Sequence, residues 1–283
     1  MTRTGRIPRS FLAIAPFRPR LGAKLGLVLG ACALMPFAAA AQEAADTAEE
    51  AAPPAAPVIE PEAISALDRM AAALQTLTSF EVKSDVTTDV VLEDGQKIEF
   101  GGTLDLEVAR PDAFKVVADS DTRTREMYYD GAKFTIYSPK LGFYASFDAP
   151  ATIGMTLDKA RTEFGIEVPL ADLFTWGTDQ TVRARVKQAM VVRPETITGR
   201  TCMHYAFRQE KVDWQVWIED SGKMLPCKIV ITSRVDPAMP QYTAVLHWDI
   251  DTPIEKASLA FAPPADAHEI AIEEVDDQEE SEQ

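Results

Sequence analysis

Residues 201–234, TCMHYAFRQEKVDWQVWIEDSGKMLPCKIVITSR, constrain the fold of this chain more than any other stretch. In the middle run Trp214, Val216 and Ile218 alternate with Gln215, Trp217 and Glu219, and in the last run Ile229 and Ile231 alternate with Val230 and Thr232. A period of two marks a strand with one apolar face, because successive side chains of a pleated strand point to opposite sides. The interruptions at residues 209–211 and at Asp220-Ser221-Gly222 are turn chemistry. Three consecutive antiparallel strands are expected, with an apolar face that another layer has to cover.

The same alternation recurs upstream. Phe80, Val82, Ser84, Val86, Thr88 and Val90 share a face opposite Glu81, Lys83, Asp85, Thr87 and Asp89, until Glu93-Asp94-Gly95 turns the chain. Strands are expected at residues 97–109, 113–119, 124–129, 133–138 and 141–147, separated by Arg110-Pro111-Asp112, Asp130-Gly131 and Ser138-Pro139. Strands this closely spaced form an antiparallel meander. Further on, residues 188–194 and 195–201 read as two strands leading into the first-named meander, and Tyr242, Ala244, Leu246, Trp248 and Ile250 share one face of residues 241–251. Residues 261–265 and 268–272 close the domain.

Cover for this sheet comes from a few helices. After Pro61, Ile64, Leu67, Met70, Ala71, Leu74 and Leu77 recur at spacings of three and four, one apolar stripe on a helix over residues 61–78. Leu157, Ala160 and Phe164 give residues 155–164 a similar stripe, and Pro169 opens a second short helix through Phe174. A lid over an open groove and a helix packed on a filled core carry the same stripe, so both readings stand at this level.

The ends of the chain set the compartment. Residues 1–24 carry six basic and no acidic residues, residues 25–37 are an apolar run too short to span a membrane comfortably, and Ala38-Ala39-Ala40-Ala41-Gln42 follows. This is the layout of a secretory signal cleaved near Ala41, with a periplasmic product. Leu29-Gly30-Ala31-Cys32 resembles a lipobox, which would make Cys32 a lipidated first residue on an outer-membrane lipoprotein. Against it, Ala33-Leu34-Met35-Pro36-Phe37 continues the apolar run past the cysteine. Residues 42–60, rich in Ala, Glu and Pro, are expected to be a disordered tether, residues 61–272 one domain, and residues 273–283 a disordered acidic tail. Without residues 1–41 the chain has 22 bases against 44 acids, and residues 61–272 alone have 22 against 32. So negative a surface repels phosphate backbones, which excludes nucleic acid as a partner and disfavours adhesion to anionic lipid.

Several of these segments resemble a known superfamily. The opening helix, Ser79-Phe80 at the start of a long strand, Ala109-Arg110-Pro111-Asp112-Ala113-Phe114-Lys115-Val116, and Tyr129-Asp130-Gly131-Ala132-Lys133-Phe134-Thr135-Ile136-Tyr137-Ser138-Pro139 resemble the N-terminal half of the LolA/LolB lipoprotein carriers. Cys202-Met203-His204-Tyr205-Ala206-Phe207, Asp213-Trp214-Gln215-Val216-Trp217-Ile218 and Leu225-Pro226-Cys227-Lys228 resemble, more narrowly, a family of predicted periplasmic proteins assigned to that superfamily. The resemblance spans residues 61–272. It implies an α+β fold: a strongly curved antiparallel half-barrel of roughly 10–12 strands, with an N-terminal helix and short lid helices on its concave face. In the characterised carriers that face accommodates acyl chains.

Catalytic and metal chemistry find little support. His204 and His247 stand on expected strands without a nucleophile or orienting carboxylate in a motif, His268 lies near the C-terminus, and no phosphate loop, dinucleotide turn or zinc helix is present. No enzyme, cofactor or metal site is expected. Cys202 and His204 share a strand face, but two or three ligands without a recognised spacing are a weak metal signal. Asp213 reads as a solvated turn-exit residue. An exported chain makes Cys202 and Cys227 eligible for a disulfide. A regular meander nonetheless sets them two strand spacings apart, about 9.6 Å, where a bridge needs Cα atoms within about 7 Å. A bulge at Pro226 would alter that distance.

The expected function is that of a monomeric periplasmic binding protein holding a hydrophobic ligand, lipid or lipoprotein acyl chains. Val82, Val86, Trp214, Val216, Ile218, Ile229, Ile231, Leu246 and Trp248 are the candidate groove lining. Each buried methylene contributes about 0.8 kcal/mol, so one long acyl chain offers on the order of 10 kcal/mol to a dry groove. An envelope sensing module with a protein partner is the alternative from a different functional class, since the same fold serves as a lipid-sensing domain in envelope-stress regulators.

Overall fold

The computed structural model describes residues 58–176, 183–220 and 222–275. Helix α1 (Pro61–Thr76) is followed by six strands, β1 (Ser79–Val91), β2 (Lys97–Ala109), β3 (Ala113–Asp119), β4 (Thr124–Tyr129), β5 (Lys133–Ser138) and β6 (Phe143–Asp148). Then come α2 (Ile153–Phe164), α3 (Asp172–Thr175) and five more strands, β7 (Gln188–Ile197), β8 (Arg200–Arg208), β9 (Val212–Glu219), β10 (Pro226–Ser233) and β11 (Gln241–Asp249). A 3-10 turn (Lys256–Leu259) and a two-residue β12 (His268–Glu269) complete the described chain.

All twelve strands form one curved sheet, an open half-barrel, in the order β12-β6-β5-β4-β3-β2-β1-β11-β10-β9-β8-β7. Strand β1 is the seam: it pairs antiparallel with β2 on one side and with β11 on the other, and so joins the two meanders edge to edge. The pairing is antiparallel throughout except at β12, which adds to β6 in parallel. The expected strand limits hold closely in the first meander. In the second they shift, because β7 runs straight through Pro194 to Ile197 where a break was expected. As a sheet-edge strand β7 tolerates a residue that lacks an N–H. The turn falls instead at Thr198 and Gly199, with φ 47° and 81°, the left-handed pair that a tight hairpin requires.

One face of the sheet carries all three helices and the main core. Helix α1 starts with Pro61 in its first turn and buries Ala63, Leu67, Met70 and Leu74. Thr152 caps α2, its hydroxyl accepting from Met155 N–H at 3.3 Å, and Gly165 ends it in the left-handed conformation. Aromatic rings link helix to sheet: Phe164 of α2 stacks on Phe147 at 4.5 Å, and Phe147 on Phe134 at 5.0 Å. The C-terminal segment crosses the opposite, outer face, where Phe261 sits within 5.1–5.4 Å of Tyr128, Tyr137 and Tyr144.

At its ends the packed domain reaches beyond the expected limits. Residues 58–60, assigned from sequence to the tether, run parallel to β7, with Glu60 N–H donating to Ala189 O at 2.9 Å and Ala189 N–H to Val58 O at 3.1 Å. Val275, assigned to the acidic tail, donates its N–H to Glu163 O at 2.7 Å. The expected signal, Cys32 and most of the tether and tail lie outside the described residues.

Cys202 and Cys227 are joined, which corrects the expectation from regular strand geometry. Pro226 pairs with Ile218 and Lys228 with Trp217, so Cys227 is an extra residue in β10, a β-bulge. The bulge, facing the end of β9, draws the two Cα atoms to 6.7 Å. Both cysteines are fully buried on the outer face with Trp217 and Val230.

Candidate functional site

The concave face is built from the alternate residues of strands β1 to β11, and all nine candidate lining residues lie on it, within or against the main core. Val82, Trp214, Val216, Ile218, Ile229 and Leu246 are buried there, whereas Val86, Ile231 and Trp248 are only half-buried. Register explains the difference for the first two. Along β1 the rows Val82–Leu106 and Ser84–Leu104 lie under the helices, while Thr88–Phe100 and Val90–Ile98 extend past them. Phe100 is 49% and Ile98 37% exposed, so the concave face has a covered half and an open half.

The covered half is filled. Between α2 and the end of α3, residues 166–176 lay Ile166, Val168, Leu170, Leu173, Phe174 and Trp176 onto the sheet, each at most 7% exposed. Phe174 meets Phe114 at 6.0 Å and Phe80 at 6.4 Å, and Trp176 stacks on Trp214 at 6.1 Å. The Arg110 guanidinium lies 5.5 Å from the Phe174 ring centre. This segment is mostly irregular. Pro169 does not open a helix as expected; a turn precedes α3, with Leu170 at φ 58°. Its described backbone hydrogen bonds, such as Leu173 N–H to Leu170 O and Trp176 N–H to Asp172 O, are local, and none reaches a strand. Six buried apolar side chains attach it to the sheet, so it is a plug rather than a further layer of secondary structure. From sequence the plug was legible only over residues 169–174, because Ile166 and Val168 follow no helical period.

Three polar groups mark the edge of the filled region. Ser84, on the concave face of β1, is 3% exposed, and its Oγ is buried with no hydrogen-bond partner. The Tyr242 hydroxyl, on the same face of β11 opposite Thr88 and Ile231, is likewise buried and unpartnered. Asp172, at the start of α3, is exposed. Desolvation, and secondarily Glu167, hold its carboxyl above the usual carboxylate range. Burial pushes the Tyr242 phenol up to about 12, and the charge of Asp172 adds to the effect. A buried polar atom left without a partner costs about 1–3 kcal/mol, so Ser84 and Tyr242 are unusual features of an otherwise apolar surface.

The outer face places the remaining sequence candidates in structural roles. His204 stacks on Trp217 at 3.9 Å between ring centres, and one ring nitrogen lies 2.9 Å from Gln215 Oε1. Trp217 donates its indole N–H to Glu195 at 2.9 Å, and Lys228 lies over the indole at 4.7 Å. Hydrogen bonds from Trp217 and then Arg193 hold the Glu195 carboxyl low, while desolvation holds the His204 imidazole below its ordinary value. Asp213 accepts both N–H groups of Arg208, at 2.8 and 2.7 Å. Among the described residues no three His, Cys, Asp or Glu side chains converge as a metal site would require. A cavity of about 270 Å³ also opens on the outer face, beneath Phe261 and Pro263 and beside Tyr128, Thr135 and Ser146. It is partly polar and open to solvent, unlike the apolar concave face, and contains none of the predicted lining.

Comparison with solved structures returns proteins of the same general architecture. The lipoprotein LppX of Mycobacterium tuberculosis is 14% identical over 69% of this chain and 100% of its own, with a TM-score of 0.44. LprF of Mycobacterium bovis is 17% identical over 75% and 100%, with a TM-score of 0.43. A LolA superfamily protein of Nitrosomonas europaea is 11% identical over 70% and 97%, with a TM-score of 0.37. At these identities the likeness is one of fold and nothing further. No curated protein matches the sequence. Residues 63–273 match the family described as predicted periplasmic protein (DUF2092), and the chain belongs to that periplasmic family.

Proposed function

We propose that this protein is a non-catalytic periplasmic carrier that holds a hydrophobic ligand, lipid or lipoprotein acyl chains, on the concave face in the volume now taken by the plug. The observation that carries the reading is the way residues 166–176 are held. Six buried apolar side chains attach them to the sheet, and the backbone hydrogen bonds described for them run within the segment and back to α2. At about 1.5–3 kcal/mol for each buried side chain, the plug contributes roughly 9–18 kcal/mol to its own attachment. A sixteen-carbon acyl chain, at about 0.8 kcal/mol per methylene, offers roughly 11 kcal/mol to the same surface. The two are of the same order, so exchange is close to balanced, as loading and release both require. Leu170 and Gly165, both at positive φ, bracket the part of the plug nearest α2.

The test is extraction of the protein purified from the periplasm, followed by mass spectrometry of the organic phase and titration of the delipidated protein with an acyl probe. A stoichiometric apolar molecule, or saturable probe binding, supports the carrier. Neither result leaves the concave face a plain core.

A protein partner is the second reading, and β7 favours it. This sheet-edge strand exposes Met190 by 52% and Val192 by 43%, beside the short pairing with residues 58–60. Crosslinking in the envelope that captures one protein through β7, with no lipid bound, would replace the carrier reading. Attachment through a lipidated Cys32 is decided by the mass of the mature N-terminus, since Gln42 as first residue excludes it.

A further inference from the structure

At the boundary between its covered and open halves the concave face is not uniformly apolar, and two neutral hydroxyls there are left without partners. Ser84 and Tyr242 lie on neighbouring strands, two pleats apart in register, with Val86 and Ala244 between them. Both side chains point to the side where the plug lies, and both oxygens are buried and unpartnered. Ala244 is fully buried and small, so the floor between the two hydroxyls is low. Asp172, on the plug, adds a carboxyl close enough to Tyr242 to bear on its ionisation. The basic Arg125 also faces inward but on β4, four strand spacings or ~19 Å of sheet from β11.

Resting on the carrier reading above, we infer that the ligand is an amphiphile whose polar end is uncharged and carries at least two hydroxyl or amide groups. That end pairs with Tyr242 and Ser84 at the boundary between the covered and open halves. A hydroxyl both donates and accepts, so one such group serves the phenol and a second the serine, which lie four residues, roughly 13 Å, apart along the strands. A free carboxylate would meet the like charge of Asp172 and is selected against.

The experiment is displacement of phenylnaphthylamine from the delipidated protein by three probes of one chain length: monododecanoyl glycerol, dodecanoate and dodecane. At neutral pH the glycerol ester is expected to compete at least tenfold better than dodecanoate. Tyr242→Phe and Ser84→Ala each remove an unpartnered polar atom, so both variants are expected to fold at least as stably as wild type. Each is expected to weaken the glycerol ester about tenfold while leaving dodecane unchanged, and Asp172→Asn to narrow the gap for dodecanoate. Equal competition by ester and carboxylate, or an ester affinity unmoved in both hydroxyl variants, overturns the inference while the carrier reading survives. If neither phenylnaphthylamine nor any chain binds wild type, both fall together.

Discussion

Cys202 and Cys227 show how one residue can redirect a sheet. The bulge at Cys227 brings the cysteines to 6.7 Å, and the bridge closes a loop over a sequence separation of 25. By the chain-entropy relation such a loop stabilises the fold by about 3–4 kcal/mol. Reduction, or the paired change Cys202→Ser with Cys227→Ser, is therefore expected to lower the urea midpoint and, because the freed unfolded chain expands, to raise the slope. The neighbouring His204 should give the protein a pH response. Its imidazole is held low in the folded state by desolvation, so the unfolded chain binds that proton more readily. Its contribution to stability is complete above the ordinary value near 6.5 and is lost as pH falls through that value toward the depressed folded one. Glu195, Arg193 and Lys228 face the same ring and do not reverse the sign. Unfolding free energies from urea titrations between pH 7.5 and 5 should fall by no more than about 1.4 kcal/mol per pH unit, one proton's worth. In His204→Gln that part of the slope should vanish.

At the scale of elements, the plug is where function and plain packing give different results. Phe174 is 4% exposed and packs against Phe80 and Phe114. Phe134, on β5, is equally buried but belongs to the sheet. Truncating either to alanine is expected to cost about 3–5 kcal/mol. Only Phe174→Ala should raise the affinity for an acyl probe several-fold, because only it weakens the segment that competes with the ligand; equal gains in both variants would reduce the plug to ordinary core. The elements differ in the same way in how far they could be read from the sequence. Strands β2 to β5 were legible to the residue, since each alternates cleanly between turn signals. The β7–β8 hairpin was not, because a proline reads as a break until its strand is known to be an edge. The plug residues Ile166 and Val168 were missed because their burial comes from tertiary contact without a helical period. Ser84 and Tyr242 were placed on the correct faces, but their lack of partners belongs to three-dimensional packing, which alternation does not encode.

For the whole molecule, the topology separates a rigid part from an exchangeable one. Both meanders are held by continuous ladders, and β1 joins them by thirteen paired positions with β2 and eight with β11. Loading a ligand need not break any of these pairs, whereas it must move the plug. The sheet should therefore keep its hydrogen-exchange protection on binding while residues 166–176 lose theirs. The energetic consequence is also defined. A ligand that binds only the folded state, at a concentration one hundred times its Kd, stabilises that state by about 2.7 kcal/mol, net of whatever the plug loses. For a domain of about 210 residues this corresponds to a rise in Tm of about 5–11 °C. The shift should grow with the logarithm of ligand concentration and persist in the disulfide-free variant, because Cys202 and Cys227 lie on the outer face, away from the plug. A Tm that stays constant at saturating monododecanoyl glycerol would mean that the concave face is closed for good, and that the seam at β1 serves only to hold two meanders around a common core.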